Sequence, residues 1–164
     1  MPTVERIGTW AEIEAEFIAR AHAMVWCNVA TVDAQGRPRS RLMHPIWECS
    51  TGWIGTRRGS LKGRDLARSP YVSLAYVSDV AKPAYADCLA EWADDAESRH
   101  RVWNLFLDAA PPLGYDPGPI FGAADDPGFG VLKLTPWRVT LRDMMSISSR
   151  IWKSDPMPAR ASET

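Results

Sequence analysis

Three arginines spaced two residues apart could bind an anion. Arg37, Arg39 and Arg41 lie within the segment RPRSR. Residues two apart in an extended strand share one face, so the three guanidinium groups would project from the same side. Like charges this close repel one another unless an anion or water separates them, and a guanidinium binds phosphate through paired hydrogen bonds. We favour a solvated position for Arg37, which adjoins a turn, and an anion contact for Arg41, which lies deeper in the strand.

A second segment, TRRGSLK, has the features of a phosphate-binding turn. It begins at Thr56, where a short strand ends, and Ser60 then starts a helix after a glycine-containing loop. The first backbone N–H groups of a helix are unpaired, and the positive end of the helix dipole attracts anions. Lys62 lies in the first helical turn, where a cation opposes the dipole by up to ~1 kcal/mol, and a bound anion would offset that cost. Arg57 and Arg58 add positive charge, although the glycine and lysine spacing is not that of a P-loop.

The elements that must position these residues are mostly strands. Segments rich in β-branched and aromatic residues predict strands, and apolar residues at helical spacing predict helices. The predicted strands cover residues 24–32, 38–48, 53–56, 71–77, 83–92 and 129–141, and the predicted helices cover residues 10–21, 60–68 and 94–109. Capping-box spacings of Thr9 with Glu12 and of Asp94 with Glu97 mark two helix starts. Because short turns join neighbouring strands, we expect mainly antiparallel pairing in a closed or partly closed barrel.

Two irregular features interrupt this pattern. Residues 110–128 are rich in proline, glycine and aspartate and have no apolar periodicity. A loop of this length in a compact domain is often a lid or a binding loop. In the last predicted strand the apolar positions change phase at Pro136, which predicts a bulge or a barrel corner.

Composition limits the class of protein. The chain has 164 residues, which predicts a single domain over residues 1–155 followed by a polar, disordered tail at 156–164. A formal net charge of -1 argues against a nucleic-acid or membrane partner. The three cysteines have no zinc-ligand spacing, so we predict free thiols and no metal site. The first nine residues lack the apolar segment of a signal peptide, and we expect a cytoplasmic location.

The segment from Ala30 to Val77 resembles the pyridoxamine 5′-phosphate oxidase-like flavoproteins. It carries their D-x-x-G-x-P turn, an arginine-bearing strand, a short strand ending in threonine, a Gly-Ser-x-Lys helix start and a P-x-V-S-L strand. The resemblance continues into VLKLTPWRVTL and spans about Met24 to Arg142. It implies a mainly β (α+β) fold, a six-stranded antiparallel split β-barrel with flanking helices. It also implies a homodimeric oxidoreductase with FMN at the dimer interface and a small-molecule substrate.

The resemblance also implies which residues bind the cofactor. An arginine on the strand and the serine and lysine of the turn hold the phosphate, and a backbone segment runs along the flavin ring. In this chain the matching residues are Arg41, Ser60, Lys62, Thr56, Leu42, Met43 and His44. Leu61 takes a place where pyridoxamine phosphate oxidases often have a second arginine, and Arg39 or Arg57 would replace that contact.

The substrate and the identity of the cofactor stay open. Pyridoxamine phosphate oxidases bind their substrate with an Arg-x-His pair near the C-terminus, whereas here Arg150 is followed by Ile151 and Trp152. We therefore expect a different substrate. The alternatives are an F420-dependent reductase, whose longer anionic cofactor would use Arg57 and Arg58, and a non-catalytic flavin-binding or stress-related protein. No catalytic residue follows from the sequence.

Overall fold

A computed structural model describes residues 1–159, which form nine strands and four helices. The strands are β1 (Thr3–Ile7), β2 (Cys27–Val32), β3 (Pro38–Met43), β4 (Ile46–Glu48), β5 (Thr51–Arg57), β6 (Tyr71–Tyr76), β7 (Ala84–Trp92), β8 (Phe129–Asp143) and β9 (Ser148–Lys153). The helices are α1 (Ala11–Met24), α2 (Leu61–Arg68), α3 (Ala96–Asp108) and α4 (Gly118–Phe121).

All nine strands belong to one sheet, in the order β1-β9-β8-β7-β6-β2-β3, with β5 paired to β8 and β4 paired to β5. Every pair is antiparallel except β1 with β9, which is parallel. Among the described residues no ladder joins β3 to β4, so the barrel is split on that side. The mainly β fold with flanking helices is confirmed.

The strand count exceeds the six expected from the sequence for two reasons. The predicted strand over residues 38–48 is two strands, because Pro45 lies between them and has no N–H group for a ladder. The strands β1 and β9 were not predicted, because both are short and mostly polar and each pairs with a segment at the opposite end of the chain. These two additional strands extend one side of the sheet beyond β8 and leave the predicted fold class unchanged.

The predicted irregularity at Pro136 is a β-bulge. Cys88 faces Pro136 and Asp87 faces Arg138, which leaves Trp137 without a partner on β7. Inward-facing positions change phase there, from Leu134 before the bulge to Val139 after it. The bulge lets β8 pair with β5 along its first half and with β9 along its second half.

Two apolar clusters support the sheet. The larger lies under α1, where Phe17 packs edge-on against Trp47 at 4.8 Å and the Trp47 indole N–H donates to the Tyr76 hydroxyl at 2.9 Å. The smaller lies between α3 and strands β5 and β8 and includes Phe106 and Phe129. A fully buried side chain of this size contributes roughly 1.5–3 kcal/mol. Two residues packed against the smaller cluster, Tyr115 and Phe121, also line a cavity.

The helix starts differ in detail from the sequence predictions. Glu12 accepts hydrogen bonds from the N–H and the hydroxyl of Thr9, which forms one half of the predicted capping box. The other half is absent, because the N-cap of α1 is Trp10 and the Glu12 N–H donates to the Thr9 carbonyl instead of the hydroxyl. The predicted cap of α3 was wrong: Asp95, and not Asp94, accepts the hydrogen bond from the Ser98 N–H at 2.8 Å. The Asp94 carboxylate instead pairs with an arginine, because one residue of chain separates it from the helix.

The C-terminal part is described only up to residue 159. Residues 160–164 of the predicted disordered tail lie outside the described residues. Within the described part of the tail, the carbonyl of Pro158 accepts a hydrogen bond from the Tyr71 hydroxyl at 3.4 Å. None of the helices within residues 1–159 has the length and apolar content that a membrane crossing requires.

Candidate functional site

A cavity of about 450 Å³ lies between β3, β5, the start of α2 and the loop that follows α3. This volume falls within the roughly 300–1,000 Å³ of small-molecule sites. The lining residues are Trp26, Arg41, Leu42, Met43, His44, Gly55, Thr56, Lys62, Pro112, Tyr115, Ile120 and Phe121. The two cations lie among mainly apolar and aromatic neighbours, which is the composition expected of a site for a flat anionic ligand.

The cationic end of the cavity is formed by Arg41 on β3 and Lys62 in the first turn of α2. Burial lowers the pKa of Lys62, and the nearby charge of Arg41 lowers it further. Burial also lowers the pKa of Arg41, while Asp65 opposes that change. Two partly desolvated cations on one wall repel each other, and a bound anion would remove that repulsion.

Arg41 is held in place by a chain of hydrogen bonds. Its Nη1 donates to Thr31 Oγ1 at 2.9 Å, and the Thr31 hydroxyl donates to Asp65 Oδ2 at 2.8 Å. The Asp65 carboxylate also lies 3.8 Å from Arg41 Nη2. Thr31 is on β2 and Asp65 is on α2, so the contact links three elements.

Ser60 occupies the N-cap position of α2 and has extended backbone angles. Its hydroxyl makes no capping hydrogen bond, although serine at this position usually caps the helix. The Ser60 Oγ is buried and has no hydrogen-bond partner among the residues described. A buried hydroxyl without a partner is unfavourable, so an acceptor from a ligand would stabilise it.

Aromatic rings form the other end of the cavity around His44. The His44 ring centroid lies 5.1 Å from that of Trp26, 5.1 Å from that of Tyr115 and 5.8 Å from that of Phe106. Burial lowers the pKa of His44, a hydrogen bond with the Leu113 backbone opposes this effect, and His22 adds to it. His44 Nε2 is buried without a partner in the described part of the chain.

The loop between α3 and β8 contributes most of the aromatic end. The Tyr115 N–H donates to the Phe106 carbonyl at 2.9 Å. A Cβ atom at Gly114 would overlap the carbonyl group of Ala109, so only glycine fits there. Further along, the Arg57 guanidinium donates to the Ile120 carbonyl at 2.8 Å. The loop is therefore fixed to α3 at one end and to β5 at the other.

The structure brings together some of the residues that the resemblance implied and leaves others apart. Those lining the cavity are Arg41, Leu42, Met43, His44, Thr56 and Lys62. Arg39 is exposed, and the Leu61 side chain is 61% exposed, so neither lines the cavity. Arg57 donates to the Ile120 carbonyl, and the Ser60 hydroxyl is buried. The replacement of a phosphate contact by Arg39 or Arg57 stays a prediction, since neither residue lines this cavity.

Sequence reasoning did not identify the remaining lining residues. They are Trp26, Gly55, Pro112, Tyr115, Ile120 and Phe121. The composition of residues 110–128 indicated a binding loop, but without periodicity it did not indicate which side chains turn inward. Trp26 lies between α1 and β2, where neither helical nor strand periodicity applies.

The barrel is split between β3 and β4, and β3 contributes Arg41, Leu42 and Met43 to the wall of the cavity. The family model of pyridoxamine 5′-phosphate oxidase matches residues 10–143. The chain therefore belongs to the pyridoxamine 5′-phosphate oxidase family. No curated protein matches the sequence.

Solved structures share the fold at low identity. A protein related to general stress protein 26, from Clostridium acetobutylicum, has a TM-score of 0.70 and 15% identity over 90% of this chain and 98% of its own. A pyridoxamine 5′-phosphate oxidase-related, FMN-binding protein from Nostoc punctiforme has a TM-score of 0.59 and 15% identity over 85% and 87%. An F420 reductase has a TM-score of 0.60 and 15% identity over 75% and 94%. At these identities the likeness shows the fold.

Proposed function

We propose that this protein is an FMN-binding oxidoreductase that acts on a small molecule other than pyridoxamine phosphate. One observation carries the proposal: Arg41 and Lys62 together form the cationic end of a cavity that is otherwise mainly apolar and aromatic. A phosphorylated flavin is complementary to this cavity, because it has an anionic phosphate at one end and a flat ring system at the other.

The residues present fit this cofactor. The phosphate would contact Arg41 and Lys62, and the unpaired Ser60 hydroxyl lies at the N-cap of the helix that carries Lys62. The ring would lie along Leu42 to His44 and against Tyr115, whose side chain lines the same cavity. Bound FMN would supply the hydride chemistry, and the protein would supply its orientation, its exclusion from water and the charges around it.

The arrangement of the other arginines favours FMN over F420. The sequence suggested that Arg57 and Arg58 could widen the basic groove for a longer anionic tail. Instead Arg58 pairs with Asp94 at 2.6 Å and stacks 4.1 Å from the centroid of the Trp92 ring, and Arg57 donates to the loop backbone. Both guanidinium groups are thus engaged outside the cavity, which leaves the two cations that a phosphate monoester requires.

Contacts near the C-terminus support a substrate other than pyridoxamine phosphate. Arg150 is the arginine closest to the place of the missing Arg-x-His pair. It is bound by Glu16 at 2.6 Å and by Glu5 at 3.2 Å, which ties it to α1 and β1. His100, the last histidine of the chain, lies 2.7 Å from Asp125 on the outer side of the loop. Neither residue is placed to bind a substrate phosphate in the cavity.

The mouth of the cavity supports a homodimer with the flavin at its interface. Trp26 is 54% exposed and Leu42 is 66% exposed, although both line the cavity. Large apolar side chains around an open site favour coverage by a partner surface. Light scattering of the pure protein is expected to give the mass of two chains, and a monomer at all concentrations would contradict this part of the proposal.

Mass spectrometry of the small molecule released from purified protein tests the proposed cofactor. FMN is expected, after expression or after incubation of the apoprotein with FMN. Release of F420, or failure of the apoprotein to bind FMN, would reject it. Oxidation of NADH or NADPH by the FMN-loaded protein with a panel of acceptors then separates an enzyme from a flavin-binding protein without turnover. The variant Lys62→Ala provides a matched control for specific loading.

A further inference from the structure

We propose that Thr31 and Asp65 are positioning residues that direct the Arg41 guanidinium toward the anion in the cavity. This inference rests on the proposed function, because it assigns Thr31 and Asp65 a role in holding the FMN phosphate. Neither residue lines the cavity, so each would act through Arg41.

The direction of the hydrogen bonds is fixed by chemistry. Arginine can only donate, so the Thr31 oxygen must accept from Arg41 Nη1 at 2.9 Å. The single Thr31 hydroxyl proton is then used toward Asp65 Oδ2 at 2.8 Å. The carboxylate thereby orients the hydroxyl with a lone pair facing Arg41. Arg41 Nη2 also lies 3.8 Å from Asp65 Oδ2, and Arg41 lines the cavity, where its other N–H groups can donate to a ligand.

Burial makes this arrangement rigid. Thr31 is 1% exposed and Asp65 is 8% exposed, so water cannot readily replace either partner. A polar chain of this kind inside a protein holds its members in one geometry when every member is satisfied. In the described residues Arg41 is partly buried, with 26% of its side chain exposed, and that exposed part is at the cavity.

The helix α2 connects the two cations. Lys62 and Asp65 are three residues apart, which places them on neighbouring positions of one helix face. Lys62 reaches the cavity directly, whereas Asp65 acts on the strand that carries Arg41. The distance between the two cationic groups therefore depends on the docking of α2 against β2 through Thr31.

A different role for Asp65 would change anion affinity in the opposite direction when Asp65 is substituted. If its charge only neutralised Arg41, removal of that charge would strengthen the binding of an anion. If Asp65 positions Arg41, its removal loosens the guanidinium and weakens phosphate binding. The variant Asp65→Leu separates these two roles, because leucine is of similar size but carries no charge and cannot accept the hydrogen bond from Thr31.

The decisive measurement compares FMN with riboflavin, which lacks the phosphate. The ratio of the two affinities reports the phosphate contact alone, because a general loss of structure would weaken both ligands. We expect Thr31→Val to lower the FMN/riboflavin ratio about five- to tenfold, the scale of one hydrogen bond. Thr31→Ser keeps the hydroxyl and is expected to keep the ratio. Circular dichroism melting of each variant verifies that it is folded.

A double-mutant cycle tests whether Thr31 acts through Arg41. In an Arg41→Met background, Thr31→Val is expected to cause no further change in the ratio. Asp65→Leu is expected to lower the ratio as Thr31→Val does, since it removes the acceptor of the Thr31 hydroxyl. A ratio that stays unchanged in either variant, or that rises in Asp65→Leu, would overturn the positioning role while the proposed function stands. A wild-type protein that binds riboflavin as tightly as FMN would reject the phosphate site itself.

Discussion

The two ends of the cavity are built in different ways. At the cationic end, Arg41 and Lys62 project from a strand and from a helix start, and a buried hydrogen-bond chain fixes the arginine. At the aromatic end, Tyr115 comes from a loop, and its position depends on ring packing against Phe106 at 4.9 Å and on the attachment of the loop to α3.

This difference separates two tasks. Strands and helices hold charged groups at a fixed spacing, which suits the binding of a cofactor that stays the same in every reaction cycle. Loops tolerate exchange of side chains more readily, which suits a region that selects among different ligands. Under the proposed function, the cationic end determines the cofactor and the aromatic end determines what reaches its ring. Four measurements can break or sharpen this division.

The largest effect is expected on stability at the aromatic end. Phe106 is fully buried and contacts both Tyr115 and His44. Phe106→Ala leaves a cavity and is expected to lower the free energy of unfolding by about 3–5 kcal/mol. Urea unfolding measures this change. The control Leu107→Ala removes an exposed neighbour and is expected to stay within about 0.5 kcal/mol. Equal losses in both variants would show that the loop does not depend on this cluster.

The next effect concerns the cationic end. Arg41→Ala and Lys62→Ala are each expected to weaken FMN binding by roughly 1.5–3 kcal/mol, the value for a hydrogen bond to a charged group. Riboflavin affinity should stay unchanged. Arg39→Ala is the matched control, since this arginine is exposed on the same strand and does not line the cavity. Unchanged FMN affinity in both cavity variants would remove the basis of the proposed site.

A smaller effect is expected from the loop wall. Tyr115→Leu removes a ring that lines the cavity and is expected to weaken FMN and riboflavin alike by about 0.5–1.5 kcal/mol. Fluorescence titration of the flavin measures both affinities. Tyr115→Phe keeps the ring and should retain binding. A loss confined to FMN would place Tyr115 at the phosphate and contradict the division between the two ends.

The smallest effect is a pH dependence from the buried histidines. Burial lowers the pKa of His44 and of His22 from the ordinary value of 6.5, so the unfolded chain takes up these protons first. The free energy of unfolding should therefore be maximal above about pH 6.5 and fall as the pH drops toward the lowered values. Urea unfolding between pH 7.5 and pH 5 measures the slope. His44→Gln is expected to reduce it, and a slope unchanged in that variant would contradict the neutral, buried state of this ring.

The positions of Arg41 and Lys62 on their elements could be predicted because the signals for them are local. Alternation along β3 placed Arg41 on one face, and the order strand, glycine turn and helix placed Lys62 at the start of α2. The contact between Thr31 on β2 and Asp65 on α2 was not visible in the sequence, because the two elements meet only in the folded chain. Propensity suggested nothing unusual at either residue. Their contact is a consequence of tertiary packing.

For the fold as well, local features could be predicted from the sequence and contacts between distant segments could not. The predicted hairpin, the flanking helices and the bulge at Pro136 follow from periodicity and from residue types. The parallel pairing of β1 with β9 could not be predicted, since it joins the two ends of the chain through short polar segments. The side chains of residues 110–128 that face the cavity could not be predicted either, because a loop rich in proline and glycine has no repeating pattern.

The close passage of Gly114 over the end of α3 has a consequence for how this chain can change. Side chains along the wall can be exchanged one at a time without altering its course, but any substitution at this glycine would force the segment away from the helix. New ligand preferences should therefore arise by single substitutions at lining residues of this loop, while its backbone path stays the same. Insertions near Gly114 would displace the loop and with it the aromatic side of the cavity.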